Sequence, residues 1–228
     1  MHTLPYIDGS SQTGLLEEFL APRRCMREPI NEIFHAAELL DRAVDAHLRQ
    51  DRKTAEQLFH EADMPKIRAW TESLWGGKRE NPEQWRYHRW REIQGIGKPE
   101  PKVYDRMPTK KQRLEIIARD GYNCRFCGIP VIPFEIRKAI TTAYPDSAYW
   151  RSQKNLDQHA AFQCLWLQFD HILPHCWGGK SVPDNIVITC APCNYGRGNW
   201  RLEEVGLIDP RERPVYRTSW DGLIRFTM

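Results

Sequence analysis

The sequence of 228 residues lacks any apolar run that approaches the ~20 residues needed to cross a membrane. Its first ten residues, MHTLPYIDGS, also lack the basic and apolar regions of a signal peptide. Hydrophobic residues make up 41% of the chain and charged residues 28%, as is usual for a globular protein. These features predict a cytoplasmic protein that does not act at a membrane.

Cysteines are few and odd in number. Four of the seven form two Cys-x2-Cys pairs, and the other three, Cys25, Cys164 and Cys176, are scattered. A secreted disulfide framework usually shows an even set at dense spacing. The pattern therefore favours reduced thiols, some of which bind a metal.

Neither sign of charge dominates, since the formal net charge is +3. Residues 1–100 contain 15 Lys and Arg against 17 Asp and Glu, whereas residues 101–228 contain 18 against 13. The basic half is the one with the cysteine pairs. This excess permits a polyanionic partner without requiring one.

The first hundred residues are predicted to be mainly helical. Apolar residues recur at three- and four-residue steps over residues 29–50, which is typical of an amphipathic helix. Two shorter helices are predicted at 53–62 and 65–75, with a break at Pro65. We expect this region, residues 1–100, to act as a scaffold, or as a surface for dimerisation or a protein partner.

Two segments join this region to the rest of the chain. Residues 85–91, WRYHRWR, alternate aromatic rings with arginines. Such a stretch can stack bases and hold phosphates, or its tryptophans can be core anchors among solvated arginines. Residues 95–108 are rich in Gly and Pro, which indicates a linker.

The second region, residues 101–228, is predicted to begin with a helix over 109–120, capped by Thr109 and ended by Gly121. The first cysteine pair follows. Residues 128–163 contain no recognisable motif and are interpreted as an insertion that packs on the core or shapes a substrate groove.

The spacing after the insertion predicts a hairpin followed by a helix. The strands are predicted over 164–173 and 185–189, and the helix begins near Asn194. At the end of the chain, apolar side chains are expected to fold back as a closing element: Trp220, Leu223, Ile224 and Phe226.

The two cysteine pairs, Cys124 with Cys127 and Cys190 with Cys193, predict a structural zinc site. Zinc accepts four thiolates in a tetrahedron, and a full shell leaves no open position for water. The alternative is that one or both pairs are merely buried thiols. The 62 residues between Cys127 and Cys190 require the loop to close over a folded subdomain.

The ordered pattern CRFCG followed by FDHILPHCWGGKSVPDNIVITCAPCNYGRGN resembles the His-Asn-His (HNH) endonucleases that have four zinc-binding cysteines. The resemblance covers about residues 109–200, and the run 169–199 is nearly continuous with the family pattern. It implies an α+β fold with a ββα-metal core, preceded here by the helical region.

The resemblance also implies roles for five residues. His171 would be the general base that takes a proton from water, and Asp170 and Asn194 would bind a catalytic Mg2+ or Mn2+ ion. Asn185 would tie the two strands together and orient His171. Arg197 would hold a phosphate.

Each of these residues also has an ordinary structural interpretation. An Asp-His dipeptide such as Asp170-His171 is common in proteins and usually has no functional meaning. Asn185 follows Asp184 as turn residues often do, and Asn194 can cap a helix. Arg197 can be a solvated helix charge. His175, four residues after His171, can line the metal site or make a structural hydrogen bond.

The resemblance predicts a metal-dependent nuclease that cuts DNA, for which we expect a role in restriction or anti-phage defence. A zinc module that binds nucleic acid without cutting it is one alternative, and a ribonuclease with the same chemistry is another. Cutting both strands of a duplex would favour two active sites and hence a homodimer.

Overall fold

The computed structural model describes residues 21–75 and 106–228, which combine seven α-helices with a two-stranded antiparallel sheet and thus confirm the α+β class. In chain order the elements are α1 (Asn31–Leu48), α2 (Arg52–Glu61), α3 (Pro65–Trp75), α4 (Lys110–Asp120), α5 (Phe134–Ala143), α6 (Ala160–Cys164), β1 (Leu167–His171), β2 (Ile186–Cys190) and α7 (Ala191–Arg197). Short 3-10 turns join the later elements. Residues 85–91 and most of the predicted linker lie outside the described residues, so the interpretations of both stay predictions.

The first four helices confirm the predicted segments to within two residues at each end. In α1, most of the recurring apolar positions are buried, as the three- and four-residue spacing requires, whereas Phe34 and Leu48 are exposed. The helix α3 starts at Pro65, which is tolerated at a first helical position because its missing N–H would have no partner there. A reciprocal capping box between Thr109 and Gln112 starts α4, and Gly121 with φ +70° ends it.

Two predicted boundaries near the cysteine pairs are corrected by the structure. Cys164 lies at the end of α6, so β1 starts three residues later, at Leu167. The last helix starts at Ala191 rather than near Asn194, because the Cys190 side chain caps it by accepting a hydrogen bond from the Cys193 N–H.

The sheet places the Asp-His dipeptide beside the start of the second strand. Leu167 pairs with Cys190 at one end of the antiparallel ladder, and His171 pairs with Ile186 at the other. Every residue of β2 is buried, and α7 follows it without a loop. The chain thus forms a strand–strand–helix unit.

Helices from both predicted regions share one hydrophobic core. On α3, the side chain of Leu74 lies so close to Gly196 of α7 that a Cβ atom there would be 3.3 Å from it. The Trp75 and Tyr195 rings meet edge to face at 5.3 Å between their centroids. The boundary at residue 100 stays a prediction, but these contacts cross it.

The segment 128–163 packs on the core, as one of its two expected roles required. All five residues of α6 are buried, and α6 lies against α1, α3 and α7. The segment also supplies α5, which lies beside the chain end.

The closing element is confirmed. The Trp220 indole N–H donates to the Val131 carbonyl, Leu223 is fully buried, and the Phe226 ring stacks on His47 of α1 at 4.3 Å between centroids. Within residues 21–75 and 106–228, no helix combines the length and apolar character that a membrane crossing needs.

Candidate metal centre and adjoining cleft

The four paired cysteines form one cluster. The Sγ atoms of Cys124, Cys127, Cys190 and Cys193 all lie within 4.8 Å of one another. The Cys127 and Cys190 sulfurs are 3.7 Å apart. Sulfurs bound tetrahedrally at a zinc–sulfur distance of about 2.3 Å would be about 3.8 Å apart, whereas a disulfide brings sulfurs to about 2.0 Å. The four residues therefore fit a tetrahedral metal ion such as zinc.

Backbone hydrogen bonds set the geometry of the first cysteine turn. The Gly128 N–H donates to the Cys124 carbonyl, and the Cys124 N–H donates to the Ile129 carbonyl. Gly128 has φ +80°, a conformation that favours glycine. The Arg125 N–H donates to the Ile188 carbonyl at 2.8 Å, which fixes this turn to β2.

The protein surroundings do not by themselves favour four thiolates in this cluster. Burial acts to raise the pKa of Cys124, but hydrogen bonds from the other three cysteines outweigh it and lower that pKa well below its ordinary value. Burial raises the pKa of Cys190 to about 12, and hydrogen bonds from the neighbouring thiols raise the pKa of Cys193 well above its ordinary value. Four thiolates in contact repel one another, so a cation in their midst is what would hold them deprotonated.

A cleft of about 550 Å³ lies where β1 meets α7. Asp170 and His171 at the end of β1 line it, together with Asn194 and Arg197 of α7 and with His175. Four of the five site residues implied by the resemblance therefore meet in one place. Asn185 does not line the cleft.

Asp170 and Arg197 form a buried ion pair. The guanidinium donates from Nη2 to Asp170 Oδ1 at 2.5 Å and from Nε to Oδ2 at 3.2 Å. Burial raises the pKa of the Asp170 carboxyl, while Arg197 acts in the opposite direction. Each carboxylate oxygen has two lone pairs, so the pairing with Arg197 leaves acceptor positions on Asp170.

The remaining bonds of Arg197 correct the expectation that it holds a phosphate. Its other N–H groups donate to the carbonyls of His171, Ile172 and Trp200. The side chain is fully buried, and all five N–H groups bond to protein oxygens. No N–H group of Arg197 is left to bind a phosphate, so this side chain holds β1 and α7 together.

The surroundings of His171 favour the neutral form of its imidazole ring. Its Nε2 lies 2.9 Å from Ser181 Oγ, and its ring centroid lies 5.6 Å from that of His175. Burial, followed by electrostatic repulsion from His175, Arg197 and Arg106, lowers the pKa of His171 to about 4. A neutral ring has a lone pair that can accept a proton.

Asn194 faces a residue that the sequence analysis missed. Its Nδ2 donates to Gln168 Oε1 at 3.3 Å, and both residues line the cleft. Gln168 and Asp170 lie on the same face of β1 because side chains alternate along a strand. That alternation, counted back from Asp170, could have identified Gln168.

Asn185 holds the loop that follows β1. Its side chain accepts from the Leu173 N–H and donates to the carbonyls of Leu173 and Lys180. The loop is so tight that a Cβ atom at Gly179 would lie 1.8 Å from the Leu173 carbonyl oxygen. Asn185 therefore shapes the backbone between the strands, and its predicted effect on His171 would be exerted through that loop.

Comparison of the chain with protein-family models, curated proteins and solved structures finds no match.

Proposed function

We propose that this protein is a metal-dependent endonuclease of the HNH type that hydrolyses phosphodiester bonds in DNA. The observation that carries the proposal is the meeting of Asp170, His171 and Asn194 in one cleft of the strand–strand–helix unit. The four-cysteine cluster at the start of α7 gives that unit a second anchor. The ββα-metal identity of the unit is part of the proposal.

The side chains of the cleft suit the two tasks of phosphodiester hydrolysis. Asp170 and Asn194 offer hard oxygen atoms, which are the ligands that Mg2+ and Mn2+ prefer. Such an ion, when bound, would neutralise charge on the scissile phosphate and its leaving oxygen. His171 would accept the proton of the attacking water, because its ring is neutral near pH 7 and opens into the same cleft.

The four cysteines would bind zinc in a structural role. A four-sulfur shell has no position for substrate or water. Zinc there would fix Cys190 and Cys193, and with them the first turn of α7 that carries Asn194. The structural metal would thereby set the position of one side of the cleft.

The test is cleavage of supercoiled plasmid by the purified full chain with Mg2+ or Mn2+. We expect nicking or linearisation that EDTA abolishes and that His171→Ala reduces by at least about a hundredfold, a typical contribution of a general base. His35→Ala is the matched control, because His35 is an exposed histidine on α1. It should cut at the wild-type rate.

Undiminished cutting by the His171→Ala protein would rule out His171 as the base. A folded, zinc-loaded protein that binds plasmid without cutting it would instead favour the non-catalytic nucleic-acid module. Cutting of structured RNA alone, with the same dependence on His171, would make the protein a ribonuclease.

A further inference from the structure

Two aromatic side chains form a wall of the cleft beside the predicted metal ligands. Trp166 directly precedes β1, and Tyr195 follows Asn194 on α7. Both line the cleft, and their ring centroids are 6.5 Å apart. Tyr195 is 43% exposed and Trp166 is half-buried, so ring surface is available to a ligand.

A buried arginine lies behind this wall. Arg137 of α5 places its guanidinium carbon 3.5 Å from the ring centroid of Trp150 and 4.3 Å from that of Trp166. The residue is 5% exposed. Aromatic faces attract cations, which explains how the guanidinium is held but not what balances its charge.

No carboxylate among the described residues compensates Arg137. Its Nη1 is buried and has no hydrogen-bond partner there. Burial lowers the pKa of Arg137 to about 10, and the nearby Tyr195 acts against that shift. Arg197 differs in this respect, since it is also buried and has every N–H bonded.

Burial of a cation without a nearby negative charge costs free energy, and an anion close to the cation reduces that cost. The molecule carries such a cation against the ring of Trp166, which lines the cleft that holds Asp170, His171 and Asn194. Arg137 itself does not line the cleft, so its charge acts on a ligand there from behind the Trp166 ring. A ligand that complements both features has a flat ring to stack and a negative charge nearby. A nucleotide has both.

We propose that Trp166, Tyr195 and Arg137 form a subsite for one unpaired nucleotide of the strand bound in the cleft. The base stacks on the aromatic wall, and the positive charge of Arg137 attracts the adjoining phosphate. This inference rests on the proposed function, because it assigns the polyanion in the cleft as nucleic acid.

The subsite also defines a substrate class. Bases inside a duplex are covered on both faces by their neighbours, so a base can stack on protein only when it is unpaired or displaced. The preferred substrate is therefore DNA with unpaired nucleotides next to the cleavage position. The segment 128–163 gains a role here, since it supplies Arg137 and Trp150.

The subsite can be tested by equilibrium binding in EDTA, where no cutting occurs. The probes are a fluorescently labelled oligothymidylate and an abasic oligonucleotide of the same length, which keeps the phosphates and lacks the bases. We expect the wild-type protein to bind oligothymidylate more tightly. Tyr195→Ala should weaken that binding about fivefold or more, which is the scale of one lost stacking contact, and leave abasic binding nearly unchanged.

The arginine has a matched control on another helix. Arg137→Gln should weaken binding of oligothymidylate, whereas Arg52→Gln, which also removes a cation from an aromatic face, should not. Arg52 lies over Tyr144, and neither residue lines the cleft. Tyr195→Ala keeps the test decisive if Arg137→Gln fails to fold, because Tyr195 is 43% exposed and its truncation disturbs the core less.

The outcomes separate this inference from the proposed function. Plasmid cutting that depends on His171, together with equal binding of both probes by wild type and Tyr195→Ala, would overturn the subsite and leave the nuclease intact. Base-dependent binding that Tyr195→Ala abolishes, without any cutting, would support the subsite in a protein that only binds nucleic acid. If Arg137→Gln and Tyr195→Ala are less stable but keep the wild-type preference for oligothymidylate over the abasic probe, the contacts of these side chains are purely structural and the subsite is overturned.

Discussion

Arg197 joins the strand and the helix of the cleft through one side chain. Its guanidinium bonds to Asp170 of β1, to two backbone carbonyls at the end of β1, and to the Trp200 carbonyl after α7. The planar five-donor group of arginine matches this set of acceptors, whereas a lysine ammonium has only three donors at a single point. The contact therefore depends on the shape of the group as well as on its charge.

Replacing Arg197 by lysine should lower the free energy of unfolding by about 2 kcal/mol or more, because buried acceptors lose their partners while the charge is kept. Urea denaturation measures the difference. Arg211→Lys is the matched control: the Nε and Nη2 groups of Arg211 also donate to an aspartate, Asp209, but the Arg211 side chain is 48% exposed. The control should change stability by less than about 1 kcal/mol. Equal decreases in the free energy of unfolding of the two variants would contradict the role of Arg197 in holding β1 and α7 together.

Residue-level predictions from the sequence succeeded where a pattern repeats and failed where a contact joins distant segments. The four cysteines were identified because paired spacing is a property of the sequence. The role of Arg197 was not, since a basic residue in the last turn of a helix is usually solvated. Arg137 was also missed, because its contact with Trp166 joins two segments that are separate in the sequence.

At the scale of elements, α6 shows how a short helix can be fixed by polar contacts at its start. The Ala160 N–H donates to Asp63 Oδ1, and the Tyr149 hydroxyl donates to Asp63 Oδ2. His159 is fully buried, with its Nε2 2.8 Å from the Phe59 carbonyl oxygen. Since a carbonyl only accepts, Nε2 carries the hydrogen, and Nδ1 accepts from the Phe162 N–H.

The burial of His159 predicts a pH dependence of stability. Burial lowers the pKa of His159 in the folded protein below its ordinary value of 6.5. Below about pH 6.5, His159 therefore binds a proton in the unfolded chain but not in the folded protein. The free energy of unfolding decreases as the pH falls. One such group can contribute a slope of at most about 1.4 kcal/mol per pH unit.

Urea denaturation of the wild type and of His159→Gln at pH 7 and pH 5 tests this dependence. Glutamine keeps an N–H for the Phe59 carbonyl and does not titrate, so the variant should lose less stability between the two pH values. The exposed His60 on α2 offers the control His60→Gln, which should keep the wild-type dependence. Parallel losses in wild type and His159→Gln would exclude His159 as the source.

The same helix marks the limit of pattern-based prediction for elements. The helices α1 to α4 were predicted because each has an apolar face or a capping residue that repeats a known spacing. The five residues of α6 are all buried, so no face alternates with another, and the sequence there was assigned in part to a strand. Its helical form is determined by the elements around it.

At the scale of the whole molecule, the cysteine cluster connects segments that are far apart in the sequence. The first pair follows α4, the second pair joins β2 to α7, and the 62 residues between Cys127 and Cys190 include α5, α6 and β1. A metal bound by all four sulfurs would cross-link the core around these elements. Its binding would then contribute directly to the stability of the fold.

Cys124→Ser should lower both the zinc content and the melting temperature. Net protein stabilities are only about 5 to 15 kcal/mol, and structural zinc binding is of similar size, so the loss should be large. Elemental analysis and thermal unfolding measure the two effects. Cys176→Ser is the matched control, because Cys176 lies outside the cluster. A Cys124→Ser protein with full zinc content and an unchanged melting temperature would exclude the structural site.

The order of the cysteine pairs along the chain has a consequence for synthesis. At about 5 to 20 residues per second, roughly 3 to 12 seconds separate the appearance of Cys127 from that of Cys190 on the ribosome. During that interval a metal ion can be held by at most the two sulfurs of the first pair. A four-sulfur metal site would thus be completed only after α5, α6, β1 and β2 have been made, so metal binding by all four sulfurs would come late in folding.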